Sequence, residues 1–264
     1  MMSESKEMVV IITGASRGIG LATAHHLLST SPSTKLLVIA RTRASLEELQ
    51  QQYSSSRVEV LAGDISDPSV APKAVDLAMS RWGRLDALIV NHGSLDPVKK
   101  VAESGVGEWR NAFDANVFSA VGLVQAALPS LRASHGRIVL TSSGASISAY
   151  QGWGAYGAGK AVLNHLALTL SVEEPDVITV SIRPGTVDTE MQREIREVHH
   201  ERMSEGDKKK FSELKQAGRL LRPEQPGHVI AELAVRGGKE FSGKFLSWND
   251  ELLKDFQEAA PWVG

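Results

Sequence analysis

The apolar positions of the chain fall into short continuous runs separated by longer stretches of helical period. The runs lie at 9–13, 36–40, 58–62, 87–90, 137–141, 178–182 and 244–248, and most are rich in Val, Ile and Leu. Strands that are apolar throughout, without polar alternation, are buried on both faces, as in a parallel sheet. Amphipathic stretches at 45–53, 68–82, 109–133 and 155–173 lie between them. This rhythm predicts an α/β domain with helices on both sides of a parallel sheet, and right-handed crossovers limit its topologies. No internal repeat, low-complexity tract or Pro/Gly linker divides the chain. Residues 1–264 therefore read as a single domain, at a length α/β folds commonly reach in one unit. One segment differs: 192–222 is highly charged, contains Asp207 followed by Lys208, Lys209 and Lys210, and lacks strand patterning. It reads as a solvated helical pair, as a lid over a substrate pocket spanning about 187–222, or as both.

Composition narrows the chemistry. A net charge of -2 gives no global argument for nucleic acid or an anionic membrane. The absence of cysteine excludes disulfides, thiolate metal sites and a cysteine nucleophile, and fits a reducing compartment. The first eight residues lack a signal-peptide pattern, and no apolar run approaches the roughly 18 residues of a membrane span, so a cytoplasmic protein is expected. No metal is called for.

The first strand runs into Thr13-Gly14-Ala15-Ser16-Arg17-Gly18-Ile19-Gly20, which opens a helix. Glycines there permit a tight turn and close backbone approach to a pyrophosphate, which the helix N-terminus then binds through its open N–H groups. The spacing is Gly-x3-Gly-x-Gly rather than G-x-G-x-x-G, but the strand–loop–helix context required for dinucleotide binding is present. The second strand ends at Ala40-Arg41-Thr42. A carboxylate near this point selects NAD; an arginine suits the 2′-phosphate of NADP. Arg41, with Arg17 from the loop, therefore points to NADP(H). Asp64-Ile65 follows the third strand and Asn91-His92-Gly93 the fourth, at the strand ends where such sheets gather ligands. Asp64 either accepts from an adenine amino group or serves a turn or helix cap.

Tyr156 and Lys160 are four residues apart on an expected helix and share a face. Ser143 ends the preceding strand segment, and Asn116 lies in the helix before it. An ammonium beside a phenol favours the phenolate and lowers its pKa. The expected chemistry is hydride transfer to a carbonyl carbon. Tyr156 protonates the growing alkoxide, Ser143 hydrogen-bonds the same oxygen, and Lys160 tunes the tyrosine and holds the nicotinamide ribose. Asn116 is expected to position a water feeding Lys160.

Together these residues resemble the short-chain dehydrogenase/reductase family, from Thr13 to Asp250, and the spacing of thirteen between Ser143 and Tyr156 is the family's. The resemblance implies strand order 3-2-1-4-5-6-7, cofactor contacts at Pro184, Gly185, Val187 and Thr189, and a homodimer or homotetramer formed through the helices at 109–133 and 155–173. A narrower likeness, carried by Gly152–Ala161 and Val187–Gln192, is to sepiapterin reductases and the related diketone reductases that reduce benzil. It implies a small ketone or vicinal diketone as substrate, with Asp250 as a substrate anchor; the alternative for Asp250 is a surface acid. Trp153 either lines the pocket mouth or packs between helices. His92 and Gly159 depart from the family's common residues. Competing readings are a non-catalytic NADP-binding regulatory protein, an alcohol dehydrogenase working in the oxidative direction, and an epimerase or dehydratase on the same fold.

Overall fold

A computed structural model describes residues 7–257. Seven strands form one all-parallel sheet: β1 (Met8–Thr13), β2 (Thr34–Ala40), β3 (Val58–Ala62), β4 (Ala87–Val90), β5 (Arg137–Thr141), β6 (Ile178–Arg183) and β7 (Phe245–Ser247). Their order is β3-β2-β1-β4-β5-β6-β7, with Ile12 of β1 in register with Val38 of β2 and Ile89 of β4. The chain reverses direction across the sheet between β1 and β4, and this opens a crevice at their carboxyl ends.

Strand periodicity decides what each face buries. Val9 and Ile11 of β1 point into one core layer, shared with Leu88 and Val90 of β4 and Ile138 and Leu140 of β5. Val10 and Ile12 point into the other, shared with Leu36, Val38 and Ile89. Helices α3 (Val70–Trp82), α5 (Ser119–Ser134) and α6 (Gly154–Glu173) cover the first face. Helices α1 (Gly18–Thr30), α2 (Arg43–Tyr53) and α9 (Glu224–Arg236) cover the second. Each fully buried Leu, Ile or Val contributes roughly 1.5–3 kcal/mol, and two opposed layers explain why no polar alternation marks the strands.

The expected helix at 109–133 is two helices, α4 (Val106–Phe113) and α5, joined by a single π-helical turn at Asp114–Phe118. The π-turn places Asn116, so the irregularity sits at the site, as such bulges often do. The joined run Val106–Ser134 also corrects the expectation of no membrane-length segment. It is long and apolar enough to cross a bilayer by length and composition alone. In this fold its inner face, with Leu123, Val124, Ala127 and Leu131, is buried in the first core layer. The charged segment forms α7 (Glu190–Glu197) and α8 (Glu205–Gln216). It is closed at its base by a bridge between Val187 and Leu221 and by an ion pair of Lys215 with Asp188 at 2.8 Å.

Candidate active site

The crevice holds a cleft of about 990 Å³ running from the β1–α1 loop to α8. At one end the loop is shaped by backbone demands. Gly14 sits at φ +67°, and a Cβ there would press within 3.1–3.2 Å of Asn91 and His92. At Gly20 a Cβ would collide with the Gly14 carbonyl and come within 2.6 Å of the Asn91 amide. Helix α1 starts after Arg17, whose side chain does not cap it. The first-turn N–H groups are thus left to an anion, and the loop fits a pyrophosphate. Ser16, Arg17, Gly18 and Ile19 line this end, together with Arg41 and Thr42 at the exposed end of β2.

Asp64 and Ile65 line the same end. Asp64 Oδ1 accepts from both the backbone N–H (3.0 Å) and the hydroxyl (2.7 Å) of Ser66. The Ser66 hydroxyl, then its N–H, hold the carboxyl below its usual range. Of the two readings of Asp64, the turn is what these contacts build.

Asn91 ties β4 to the loop. Its N–H donates to Thr13 Oγ1 at 3.0 Å, and its side-chain amino group faces the Thr13 and Gly14 carbonyls. Beside it, His92 Nδ1 lies 2.7 Å from Thr13 Oγ1 and Nε2 lies 2.8 Å from Ser119 Oγ. Ser119 Oγ also reaches the Ala115 carbonyl at 3.0 Å and Thr13 Oγ1 the Ile89 carbonyl at 3.3 Å; a neutral imidazole between the two hydroxyls donates to one and accepts from the other. Enclosure, then the Lys160 charge, push the imidazole pKa down to about 3. His92 is therefore a neutral clip between β1 and α5, a part the sequence pattern did not disclose.

Ser143, Tyr156 and Lys160 converge at the middle of the cleft. Ser143 leaves β5 in extended conformation and caps a short 3₁₀ turn, its Oγ accepting from Ala145 N–H at 3.1 Å. Tyr156 and Lys160, one turn apart on α6, are both buried. The Lys160 ammonium donates to the Thr141 carbonyl at 2.7 Å and stands 5.8 Å from the centre of the Tyr156 ring.

One expectation differs here. Lys160 was to lower the Tyr156 pKa; instead burial raises it, opposed in part by a hydrogen bond with Ser143. Burial also brings Lys160 down to about 8. Desolvation disfavours whichever form is charged, and it dominates both groups. The side chain of Asn116 has both its N–H groups and its oxygen used within the protein. Its amino group faces the Ser94 and Ala112 carbonyls at 3.0 and 2.9 Å, while Oδ1 accepts from Ser94 N–H at 2.9 Å. Its side chain pins the loop after β4 to the π-turn. Gly93 lies over this junction, where a Cβ would come within 2.9 Å of Asn116 Oδ1 and 3.3 Å of Lys160 Nζ.

Pro184, Gly185, Val187 and Thr189 line the cleft beyond β6, and Thr189 caps α7 through Gln192 N–H. The far wall is aromatic. Trp153 stacks on Phe211 of α8 at 5.7 Å between ring centres, meets Tyr150 at 4.7 Å, and stands edge-on to Tyr156 at 6.1 Å. Trp153 thus both lines the pocket and packs between elements, in a cluster with Leu95, Ile195 and Met203. Phe211 was hidden in a run whose lysines dominated its reading.

Of the two readings of Asp250, its contacts favour the local one. It is not among the residues lining the cleft; its Oδ1 accepts from Leu252 N–H at 3.0 Å and caps the 3₁₀ helix Glu251–Phe256. An acid followed by a short helix is used by that helix's unpaired N–H groups.

Comparison with known proteins agrees with this architecture. Residues 8–200 match the short chain dehydrogenase family model. The chain is 41% identical over 250 residues to the oxidoreductase YIR035C of Saccharomyces cerevisiae, covering 94% of this chain and 98% of that one. The crystal structure of YIR035C superposes with a TM-score of 0.92, at 40% identity, over 95% of this chain and 99% of that one. Benzil reductase ((S)-benzoin forming) IRC24 of the same yeast is 39% identical over 259 residues, again covering 94% and 98%. A structure described as a cytoplasmic protein of unknown function from S. cerevisiae matches at TM-score 0.81 and 39% identity, over 95% of this chain and 99% of that one. The family uses nicotinamide nucleotides as cofactors, which fits the loop and strand ends described above. The chain belongs to the short-chain dehydrogenase/reductase family.

Proposed function

We propose that the protein is an NADPH-dependent carbonyl reductase acting on a small ketone or vicinal diketone. The observation that carries this reading is the meeting of Ser143, Tyr156 and Lys160 in one cleft with the β1–α1 loop. A bound nicotinamide nucleotide supplies the hydride. Tyr156 donates the proton to the carbonyl oxygen. The raised pKa of its phenol keeps it protonated beforehand, as a proton donor requires. Ser143 hydrogen-bonds the same oxygen, and the Lys160 ammonium stabilises the phenolate left behind. Such general acid catalysis contributes roughly 10²–10⁴-fold; orientation by the aromatic wall and the fixed hydroxyl and ammonium adds to it.

Arg17 and Arg41 at the exposed end of the cleft support NADPH over NADH, because a guanidinium pairs with the 2′-phosphate in charge-assisted hydrogen bonds. Likeness to a benzil reductase supports the diketone class. Exposed apolar residues on α6, Leu168 and Val172 one turn apart, with Phe118 at the head of α5, support a homo-oligomer. Likeness to a cytoplasmic yeast protein supports the same compartment. The test is NADPH oxidation with benzil, run beside NADH. Tyr156→Phe removes the proton donor, so turnover should fall by about 10³-fold or more while NADPH binding, read by fluorescence, is kept. Full activity in that variant rejects Tyr156 as the proton donor, whereas a wild type that binds NADPH but oxidises it with no carbonyl revives the reading of a chain that binds NADP without catalysis.

A further inference from the structure

One polar group in the cleft has no part in the chemistry above. Gln192 lies in the first turn of α7, lines the cleft and is 4% exposed. Its Oε1 accepts from Arg196 Nη1 at 2.8 Å. A guanidinium only donates, so this contact fixes which end of the amide is oxygen. The amino end, Nε2, then has no hydrogen-bond partner among the described residues. It is not among the sealed, unpartnered atoms, as the indole N–H of Trp153 is, and the side chain that carries it lines the cleft. The neighbouring wall is apolar, formed by Leu95, Trp153, Ile195 and Phe211. The amide is a neutral donor with two N–H groups, its orientation set by an arginine one turn along the helix, in a cleft that these aromatic and aliphatic side chains also line.

We propose that Gln192 is a specificity-determining residue that donates from Nε2 to a second acceptor oxygen of the substrate, adjacent to the carbonyl that Tyr156 protonates. The preferred substrates are then aryl 1,2-dicarbonyls rather than aryl monoketones, and Arg196 is a positioning residue that holds the amide. This rests on the reductase reading above.

The experiment compares benzil with deoxybenzoin, which keeps both rings and one carbonyl but has CH₂ in place of the other. Initial rates of NADPH oxidation give kcat/KM for each. The inherent difference in reactivity between the two ketones cancels when their ratio is compared between wild type and variants. Gln192→Leu should lower the benzil-to-deoxybenzoin ratio about tenfold, the size of one neutral hydrogen bond (about 1.4 kcal/mol). Gln192→Glu keeps the size and the pairing with Arg196 but replaces the donor with an acceptor, so it folds where the leucine variant fails and should lower the ratio at least as far. Arg196→Met frees the amide to turn and should lower it by less. An unchanged ratio in a wild type and Gln192→Glu that both turn over overturns the proposal, as does an equal loss on both substrates. A wild type inert toward every carbonyl strikes the reductase reading itself.

Discussion

His92 Nε2 reaches Ser119 Oγ at 2.8 Å while its Nδ1 meets Thr13 Oγ1 at 2.7 Å, so one neutral imidazole ties the strand before the phosphate loop to the helix after the π-turn. Protonation breaks this arrangement, because an imidazolium donates from both ring nitrogens and accepts at neither. The folded pKa, about 3, lies below the ordinary value of 6.5, so between these limits the unfolded chain binds more protons. Stability from this group is complete above pH 6.5 and is lost as the pH falls toward 3. At pH 5 the loss reaches up to about 2 kcal/mol. Urea unfolding at pH 5 and pH 7 should show this difference in wild type and a smaller one in His92→Gln. The same pH dependence in both would assign the acid sensitivity to other groups.

Lys160 gives a second pH signature, with the opposite sense. In the proposed mechanism its ammonium stabilises the Tyr156 phenolate, and burial brings its pKa to about 8. The kcat/KM for NADPH, which reports groups of the free enzyme, should fall as the pH rises through about 8. Lys160→Arg keeps the charge at all these pH values and should lose that descending limb, whatever its residual rate. A limb unmoved by the substitution would mean that another group sets it.

At the cofactor end, Arg41 stands exposed where β2 ends, and Arg17 stands at the start of α1. Loss of a charge-assisted hydrogen bond to phosphate weakens binding by about 1.5–3 kcal/mol, equivalent to roughly 10–100-fold. Arg41→Ala should raise the KM for NADPH by this order while changing that for NADH by less than about threefold. Parallel steady-state kinetics with both nucleotides measure the contrast. A parallel loss with both would deny Arg41 a role in reading the 2′-phosphate.

These cases show which parts of the site the sequence discloses. That the β1–α1 loop, Ser143, Tyr156 and Lys160 line one cleft was legible: the loop from its strand–turn–helix setting, Tyr156 and Lys160 from their one-turn spacing, and Ser143 from the family resemblance. The seven apolar runs likewise became the seven strands, with β7 shortened to Phe245–Ser247. The π-turn was not legible, because Val106–Ser134 keeps one helical pattern across it and the interruption is made by tertiary bonds from Asn116 to Ser94. Helix α9 was passed over although Val229, Ile230, Leu233 and Ala234 are buried, since its partner face on α1 lies some two hundred positions earlier in the chain. The fall of the Lys160 pKa and the rise of the Tyr156 pKa both follow from enclosure, which no local spacing encodes. Asp250 stayed open for a related reason: a carboxylate's use depends on which N–H groups are nearest, and here one belongs to its own chain two residues on.

Phe211 is the wall residue the charge pattern concealed, and it offers a test of whether α8 shapes the substrate pocket. Its ring is buried, stacks on Trp153 at 5.7 Å and lies 6.0 Å from Tyr150, while Lys210 beside it spans both faces of the corner, 5.0 Å from the Tyr150 ring and 5.5 Å from the Phe211 ring. Phe211→Ala removes one side of the stack and costs about 3–5 kcal/mol where a core closes poorly. At the rim of an open cleft water enters instead, so the stability loss should be less than about 2 kcal/mol. The main effect should fall on substrates with aryl groups, since ring pairs contribute about 0.5–1.5 kcal/mol beyond their buried area. KM for benzil should rise about tenfold or more, with KM for butane-2,3-dione changed less than about twofold. Equal effects on the aromatic and the aliphatic diketone would place Phe211 in the scaffold of α8 rather than against the substrate.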